Sequence, residues 1–167
     1  MGTVAYQPIP ISATADCTAP AGVDAAGAAQ TYEPDKAIDG KKETAWRCQG
    51  DAAGRTLVVD FGSPVQLTSV GLIPGFDKVD PSDGADRFVQ DRTVVRVRWT
   101  FDNGGTVEST PNGDRSAPPT NVAVRTTTVR MTILETRAGS NVTNKSGVTL
   151  DAVDSSAVSE VVFSGLK

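Results

Sequence analysis

The stretch from Phe76 to Arg92 holds the chain's densest collection of side chains suited to recognising a ligand. Lys78, Asp80, Asp83, Asp86, Arg87, Gln90 and Arg92 supply both charge signs and planar polar groups, beside the rings of Phe76 and Phe88. Planar hydrogen-bonding groups next to an aromatic face read the hydroxyls and the apolar face of a sugar. Phe76, Lys78, Asp80, Arg87, Phe88, Gln90 and Arg92 are therefore the candidate ligand-binding residues. The same composition also describes a loop folded back onto its scaffold, with Asp86, Arg87 and Arg92 in structural ion pairs. Both readings stay open.

Catalytic chemistry is harder to assemble. The 167 residues contain no histidine, which removes the usual general base near neutral pH and the usual zinc ligand. Two cysteines cannot make a four-thiolate zinc site. Glycoside hydrolysis by two carboxylates survives this filter, but no pair of acids is forced by spacing into one cleft. No catalytic residue is assigned. The 16 Lys and Arg against 20 Asp and Glu leave a net charge of -4, which does not favour a nucleic-acid partner. Cys17 and Cys48 read either as a disulfide of an oxidising compartment or as two small apolar residues. Trp99 lies in phase with Val95, Val97 and Phe101 and is expected in the core. Arg96 and Arg98, extended by Arg125 and Arg130, form a basic stripe that reads as a solvated sheet face or an anion site. Asn141-Val142-Thr143 matches a glycosylation acceptor pattern.

The elements that must position these residues are strands. Leu57–Phe61 and Val65–Ile73 are expected as two strands, and Thr93–Phe101 alternates with Val95, Val97, Trp99 and Phe101 on one face. Asp102-Asn103-Gly104-Gly105 signals a hairpin with positive φ at both central residues. Asn121–Glu135 alternates through Val122, Val124, Val129, Met131 and Ile133, and Val158–Phe163 closes the chain. Pro34–Ile38 fits one helical turn between Pro34 and Gly40. Thr18–Gln30 and Thr136–Thr149 read as loops rich in small residues. The fold class is all-β, an antiparallel jelly-roll sandwich of about eight strands, in one domain over residues 9–167. Residues 1–8 are a lead-in, with Met1-Gly2 read as an added start. No run approaches the roughly 20 apolar residues of a membrane span, so this segment is not expected to enter a bilayer directly.

A stretch from Tyr32 to Gly75 organises the whole. Its Ala37-x-Asp39-Gly40-x-x-x-Thr44-x-Trp46, followed by Leu57-x-Val59-Asp60-Phe61-Gly62 and Val70-Gly71, resembles the discoidin (coagulation factor five/eight type C) family, galactose-binding-like in fold, and the resemblance makes Trp46 a buried anchor of the core. The closing Ala157-Val158-Ser159-Glu160-Val161-x-Phe163-x-Gly165 is similar to that family's last strand. Gly71-Leu72-Ile73-Pro74-Gly75-Phe76-x-Lys78-Val79-Asp80 and Asp86-Arg87-Phe88-x-Gln90 resemble an actinobacterial branch with glycan-binding members. The extracellular end of the MviN-type flippases of cell-wall synthesis has been likened to such domains.

The resemblance implies a non-catalytic extracellular binding module, here for a cell-envelope carbohydrate, on a parent chain that is membrane-anchored. The alternative is a protein-interaction or structural ectodomain that has lost sugar binding. A monomer is expected. The resemblance also implies a structural calcium held by Asp39, Thr44 and Glu160 with turn carbonyls, since calcium takes six to eight oxygens. Lys41 departs from this pattern, because relatives commonly place an acid there. A metal-free turn capped by Asp39 is the other reading.

Overall fold

The computed structural model describes residues 3–167, so Met1-Gly2 lie outside the described residues. Thirteen strands form among them, five of only two residues; the other eight have four or more. The largest sheet runs β1 (Ala5–Tyr6), β13 (Glu160–Leu166), β6 (Thr56–Ile73), β9 (Thr120–Arg137), β7 (Thr93–Phe101) and β8 (Thr106–Ser109), with β2 (Ser12–Ala15) also paired to β6. β5 (Trp46–Gln49) and β12 (Ser155–Val158) make a separate antiparallel pair. The fold is the all-β antiparallel sandwich that the alternating runs predict. Ala5–Tyr6, inside the expected lead-in, pairs with Gly165–Leu166 of β13.

Two long bent strands carry the architecture. β6 joins the two strands expected at 57–61 and 65–73 into one, because the chain turns without breaking at Gly62, whose φ is 78°. Its first half pairs with β2 and its second half with β13, while β9 follows it along both. Register shifts between Asp60 and Val65 let a single strand bend around the core.

The core lies between the layers. Trp46, Trp99, Phe163, Leu57, Leu67, Leu72, Met131 and Ile133 are fully buried. Phe163 meets Phe61 and Trp99 edge to face at 5.0 and 6.0 Å. Each tryptophan finds a partner for its ring N–H: Trp46 donates to the Cys17 carbonyl and Trp99 to Ser109 Oγ, both at 2.9 Å. The core placement of both rings holds.

Four local expectations need correction. In β7 the buried valine is Val94, 1% exposed, not Val95, because register shifts on either side of Arg96 move the alternation by one residue. The hairpin after β7 uses a single left-handed residue, Gly104 (φ 82°), so the mirror-image turn needing two does not form. The expected loops at 18–30 and 136–149 contain the ribbons β3 (Gly22–Val23) with β4 (Ala29–Gln30) and β10 (Val142–Thr143) with β11 (Thr149–Leu150). Both ribbons are pinned by asparagine or aspartate turns: Asp24 Oδ1 accepts from Ala26 N and Ala28 N, and Asn144 Oδ1 from Ser146 N and Val148 N.

Candidate functional site

The helical turn α1 (Arg87–Gln90) and the loop before it fold around one buried carboxylate. Asp80 is 1% exposed. Its Oδ2 accepts from Ala25 N at 3.0 Å and Arg87 Nη2 at 3.2 Å, and its Oδ1 accepts from Ser82 N at 3.0 Å. Burial pushes this carboxyl up, but the amide donors and Arg87 outweigh it and hold Asp80 below the usual carboxylate range. Arg87 also reaches Asp83 at 3.4 Å and donates to Gln90 Oε1 at 2.7 Å. Gln90 Nε2 in turn donates to the Asp151 carbonyl at 3.0 Å. The loop is therefore tied to β3–β4 at one end and to the 151–153 segment at the other.

These contacts enclose a cavity of about 210 Å³. Phe76, Lys78, Asp80, Arg87 and Gln90, all expected from sequence, line it. Phe88 and Arg92 do not. Phe88 is turned under the loop, where the Arg115 guanidinium stacks 4.1 Å from its ring centroid. Arg92 is held by Asp154 at 3.0 Å, Asp51 at 3.6 Å and Thr136 Oγ1 at 3.1 Å, the structural ion pairing of the alternative reading. Asp86 caps α1 through Phe88 N and pairs with Arg115 at 2.8 Å.

Sequence reasoning missed Tyr32, Arg47 and Asp91, which line the same cavity. Tyr32 and Phe76 belong to a small apolar cluster with Ala19, Ala45 and Ala157 beneath it. The Arg47 guanidinium carbon sits 4.4 Å over the Tyr32 ring, and Lys78 Nζ 5.9 Å from the Phe76 centroid. Arg47 projects from β5 directly after buried Trp46, so strand alternation was the signal that could have found it. Asp91 follows Gln90, is 2% exposed, and has Arg47 Nη1 at 4.0 Å from its Oδ2. Burial pushes its carboxyl up to about 6, with Arg47 and Arg87 pulling the other way.

Around the Asp39-Gly40 turn a second constellation forms. Thr44 Oγ1 donates to Asp39 Oδ2 at 2.5 Å and lies 3.2 Å from the Lys41 carbonyl and 3.5 Å from that of Lys36. Glu160 Oε2 accepts from Gly40 N at 3.2 Å, and Oε1 is buried without a partner. Burial, opposed by the Gly40 amide and reinforced by Asp39, pushes the Glu160 carboxyl up to about 8. The Asp39 carboxylate and the Lys36 and Lys41 carbonyls gather around the Thr44 hydroxyl, with the orphaned Glu160 carboxylate beside Asp39, and oxygens of these kinds suit a hard cation such as calcium. Among the described residues neither Lys41 nor Lys42 forms an ion pair with Asp39 or Glu160. Asp39 Oδ1 also accepts from Lys41 N at 3.0 Å, the turn-capping role of the metal-free reading.

Cys17 and Cys48 form a disulfide with their Cα atoms 5.6 Å apart. The basic stripe is engaged: Arg96 and Arg98 pair with Glu108 at 3.0 and 3.6 Å on a half-exposed face.

The F5/8 type C domain matches residues 18–146 of the chain. The family 32 CBM of NanJ from C. perfringens, solved with galactose, superposes with a TM-score of 0.61 at 16% identity, covering 96% of this chain and 99% of that one. Chitosan-binding module 2 of a Paenibacillus sp. IK-5 chitosanase/glucanase, solved with chitotriose, gives 0.59 at 17% identity, over 93% and 98% of the two chains. The CBM32 of AlyQ, solved with 4,5-unsaturated mannuronic acid, gives 0.53 at 16% identity, over 95% and 97%. No curated protein sequence matches the chain significantly.

Proposed function

The chain belongs to the F5/8 type C domain family, and from that premise we propose that it is a non-catalytic, extracytoplasmic glycan-binding module. The observation that carries the reading is the cavity walled by Arg47, Asp80, Arg87, Gln90 and Asp91 over the Tyr32–Phe76 cluster. It is concave, rigidly braced, and lined by a few convergent polar groups around an aromatic base. At about 210 Å³ it is smaller than the roughly 300 Å³ at which drug-sized pockets begin, so it takes the end of a glycan rather than several units of a chain. The Cys17–Cys48 bond supports an oxidising compartment.

Galactose, chitotriose and an unsaturated mannuronic acid occupy the three structural neighbours, so the shared fold leaves the choice of sugar to local side chains. The actinobacterial resemblance of residues 71–90 supports a cell-envelope carbohydrate as the ligand. It also supports an ectodomain setting like that of the MviN-type flippases. Asp39, Thr44 and Glu160, with the Lys36 and Lys41 carbonyls, would hold a calcium ion. Bound there, the ion supplies positive charge that fastens the Asp39 turn to β13.

One observation favours a second reading, a protein-interaction ectodomain. Arg47 covers one face of Tyr32 and Lys78 approaches one face of Phe76, which reduces the flat ring surface a sugar would stack on. A glycan array carrying peptidoglycan and arabinogalactan fragments, followed by calorimetry with any hit, separates the two. Saturable binding that Arg87→Ala abolishes supports the module; clean negatives across envelope glycans leave the interaction reading.

A further inference from the structure

The cavity wall carries the cations Arg47, Lys78 and Arg87 and the carboxylates Asp24, Asp80 and Asp91, but it does not show them equally. The side chains of Arg47, Lys78 and Arg87 are 16, 12 and 19% exposed, whereas those of Asp91 and Asp80 are 2 and 1% exposed. Of the lining carboxylates only Asp24, at 17%, is exposed to a comparable degree. Arg87 is fully committed, with Nη1 donating to Gln90 and Nη2 to Asp80 and Asp83. Arg47 and Lys78 are not. Among the described residues, Arg47 Nη1 comes no closer than 4.0 Å to Asp91 and Lys78 Nζ no closer than 3.9 Å to Asp24, both beyond direct hydrogen-bond range. Arg47 Nε is buried, so the edge of that guanidinium left for a ligand is its Nη1–Nη2 end. Both cations lie toward rings, Arg47 over Tyr32 and Lys78 near Phe76, so positive charge rather than bare ring face covers the aromatic base.

We propose that Arg47 and Lys78 form a carboxylate-reading pair, so that the cavity takes an acidic sugar in preference to its neutral counterpart. The proposal rests on the glycan-binding reading and names the ligand class of that site. The end of a guanidinium offers two parallel N–H donors to a carboxylate, and an ammonium adds a point charge. Asp91 and Asp24 oppose a second negative charge, yet each faces its cation from too far away to hydrogen-bond to it. A ligand carboxylate at a charge-assisted distance of about 2.8 Å meets either cation more strongly than its resident acid does. A hydroxymethyl group or an amide in the same place brings no charge to either. Uronic acids and the lactyl ether of muramic acid both present such a carboxylate, and the pair reads the group they share.

The test is a glycan array printed with glucuronic, galacturonic and N-acetylmuramic acids beside their primary amides, which keep the shape and lose the charge. Calorimetry follows on the best acid and its amide. Wild-type protein is expected to bind the acid at least about tenfold more tightly, the scale of one hydrogen bond to a charged group. Lys78→Gln and Arg47→Gln should each shrink that preference, and Asp91→Asn should widen it by removing an opposing charge. Arg96→Gln, which alters a cation paired with Glu108 outside the cavity, should leave the preference unchanged. Melting curves confirm that the variants are folded. Lys78→Gln decides alone if Arg47→Gln, which strips the buried Asp91 of its nearby cation, does not fold. Preference for a uronic acid or for muramic acid supports the pair and identifies the source of the carboxylate. Equal or tighter binding of the amide, or a preference unchanged in Lys78→Gln, overturns the pair and leaves the module reading standing. No binding to any printed glycan overturns both.

Discussion

The Arg47 guanidinium stands 4.0 Å from the Asp91 carboxylate, near enough to feel its charge and too far to hydrogen-bond to it. Asp91 is consequently a buried acid only partly compensated, with its carboxyl raised to about 6. An unfolded aspartate titrates near 3.9. Between these values the folded state holds the proton that the unfolded state has released, so stability falls as pH rises through this window and levels off above it. The full cost is on the order of 3 kcal/mol at neutral pH, from a shift of about two units. Asp91→Asn should therefore raise the melting temperature at pH 7.5, gain little at pH 4, and flatten the difference curve between. Chemical denaturation of both proteins across this range checks it. A variant less stable at neutral pH would show that the carboxylate is better paired than the distance indicates.

The Cys17–Cys48 bond spans a sequence separation of 31 and ties the end of β2 to β5 beside the Trp46 ring N–H, which donates to the Cys17 carbonyl. Closing a loop of this size stabilises by roughly 3–4 kcal/mol in the chain-entropy account. Replacing both cysteines by serine should lower the melting temperature by many degrees while leaving the fold's circular dichroism intact below the transition. Because Trp46 lies against this bond, its fluorescence should report the loss first. A melting temperature unchanged by reduction would contradict this placement.

How far these features could be read in advance depended on whether they were local. Strand identity was legible because Val97, Trp99 and Phe101, or Val129, Met131 and Ile133, alternate at period two, and all are buried. The one-residue slip that buries Val94 was not, since a bulge is set by the partner strand's register rather than by the residues it shifts. The loop's charged residues announced a site, yet could not say which of them faced inward. Arg87 and Arg92 look alike in sequence; one meets Asp80 across the cavity wall and the other Asp154 on the outer surface. Asp91 escaped notice because its environment comes from Arg47, 44 residues away along the chain. The Asp39–Thr44 turn is contiguous, and it was recognised with its distant partner Glu160 only through family resemblance.

Glu160 Oε1 has no hydrogen-bond partner although it is buried, and Asp39 lies beside it. A divalent cation relieves both problems at once, so calcium should raise the melting temperature. At a hundredfold excess over Kd the gain is about 2.7 kcal/mol. Chelation with EGTA should reverse it, and Glu160→Gln should abolish the calcium-dependent part. Because Lys41 and Lys42 add positive charge to the turn, removing it with Lys41→Glu is expected to tighten calcium in a titration followed by calorimetry. Identical melting curves with and without calcium would leave Asp39 as a cap of the Lys41 amide.

Gly139 approaches the site from behind. A Cβ there would run into the Gln90 carbonyl oxygen and come within 2.6 Å of the Asp91 carbonyl oxygen. These are backbone atoms, held by Val153 N donating to Gln90 O at 2.9 Å, so they cannot swing aside as a side chain would. Gly139→Ala must therefore push the end of α1, moving Gln90 and Asp91 relative to Arg47. An overpacking cost of about 1–3 kcal/mol is expected. Ligand affinity should fall as well, although Gly139 is absent from the cavity lining. The exposed neighbour Ala138 provides the control, since Ala138→Ser should stay within about 0.5 kcal/mol of wild type. If Gly139→Ala matched that control in both melting temperature and glycan affinity, the close approach of the 138–140 segment to α1 would be refuted, and with it the rigid seating of Asp91.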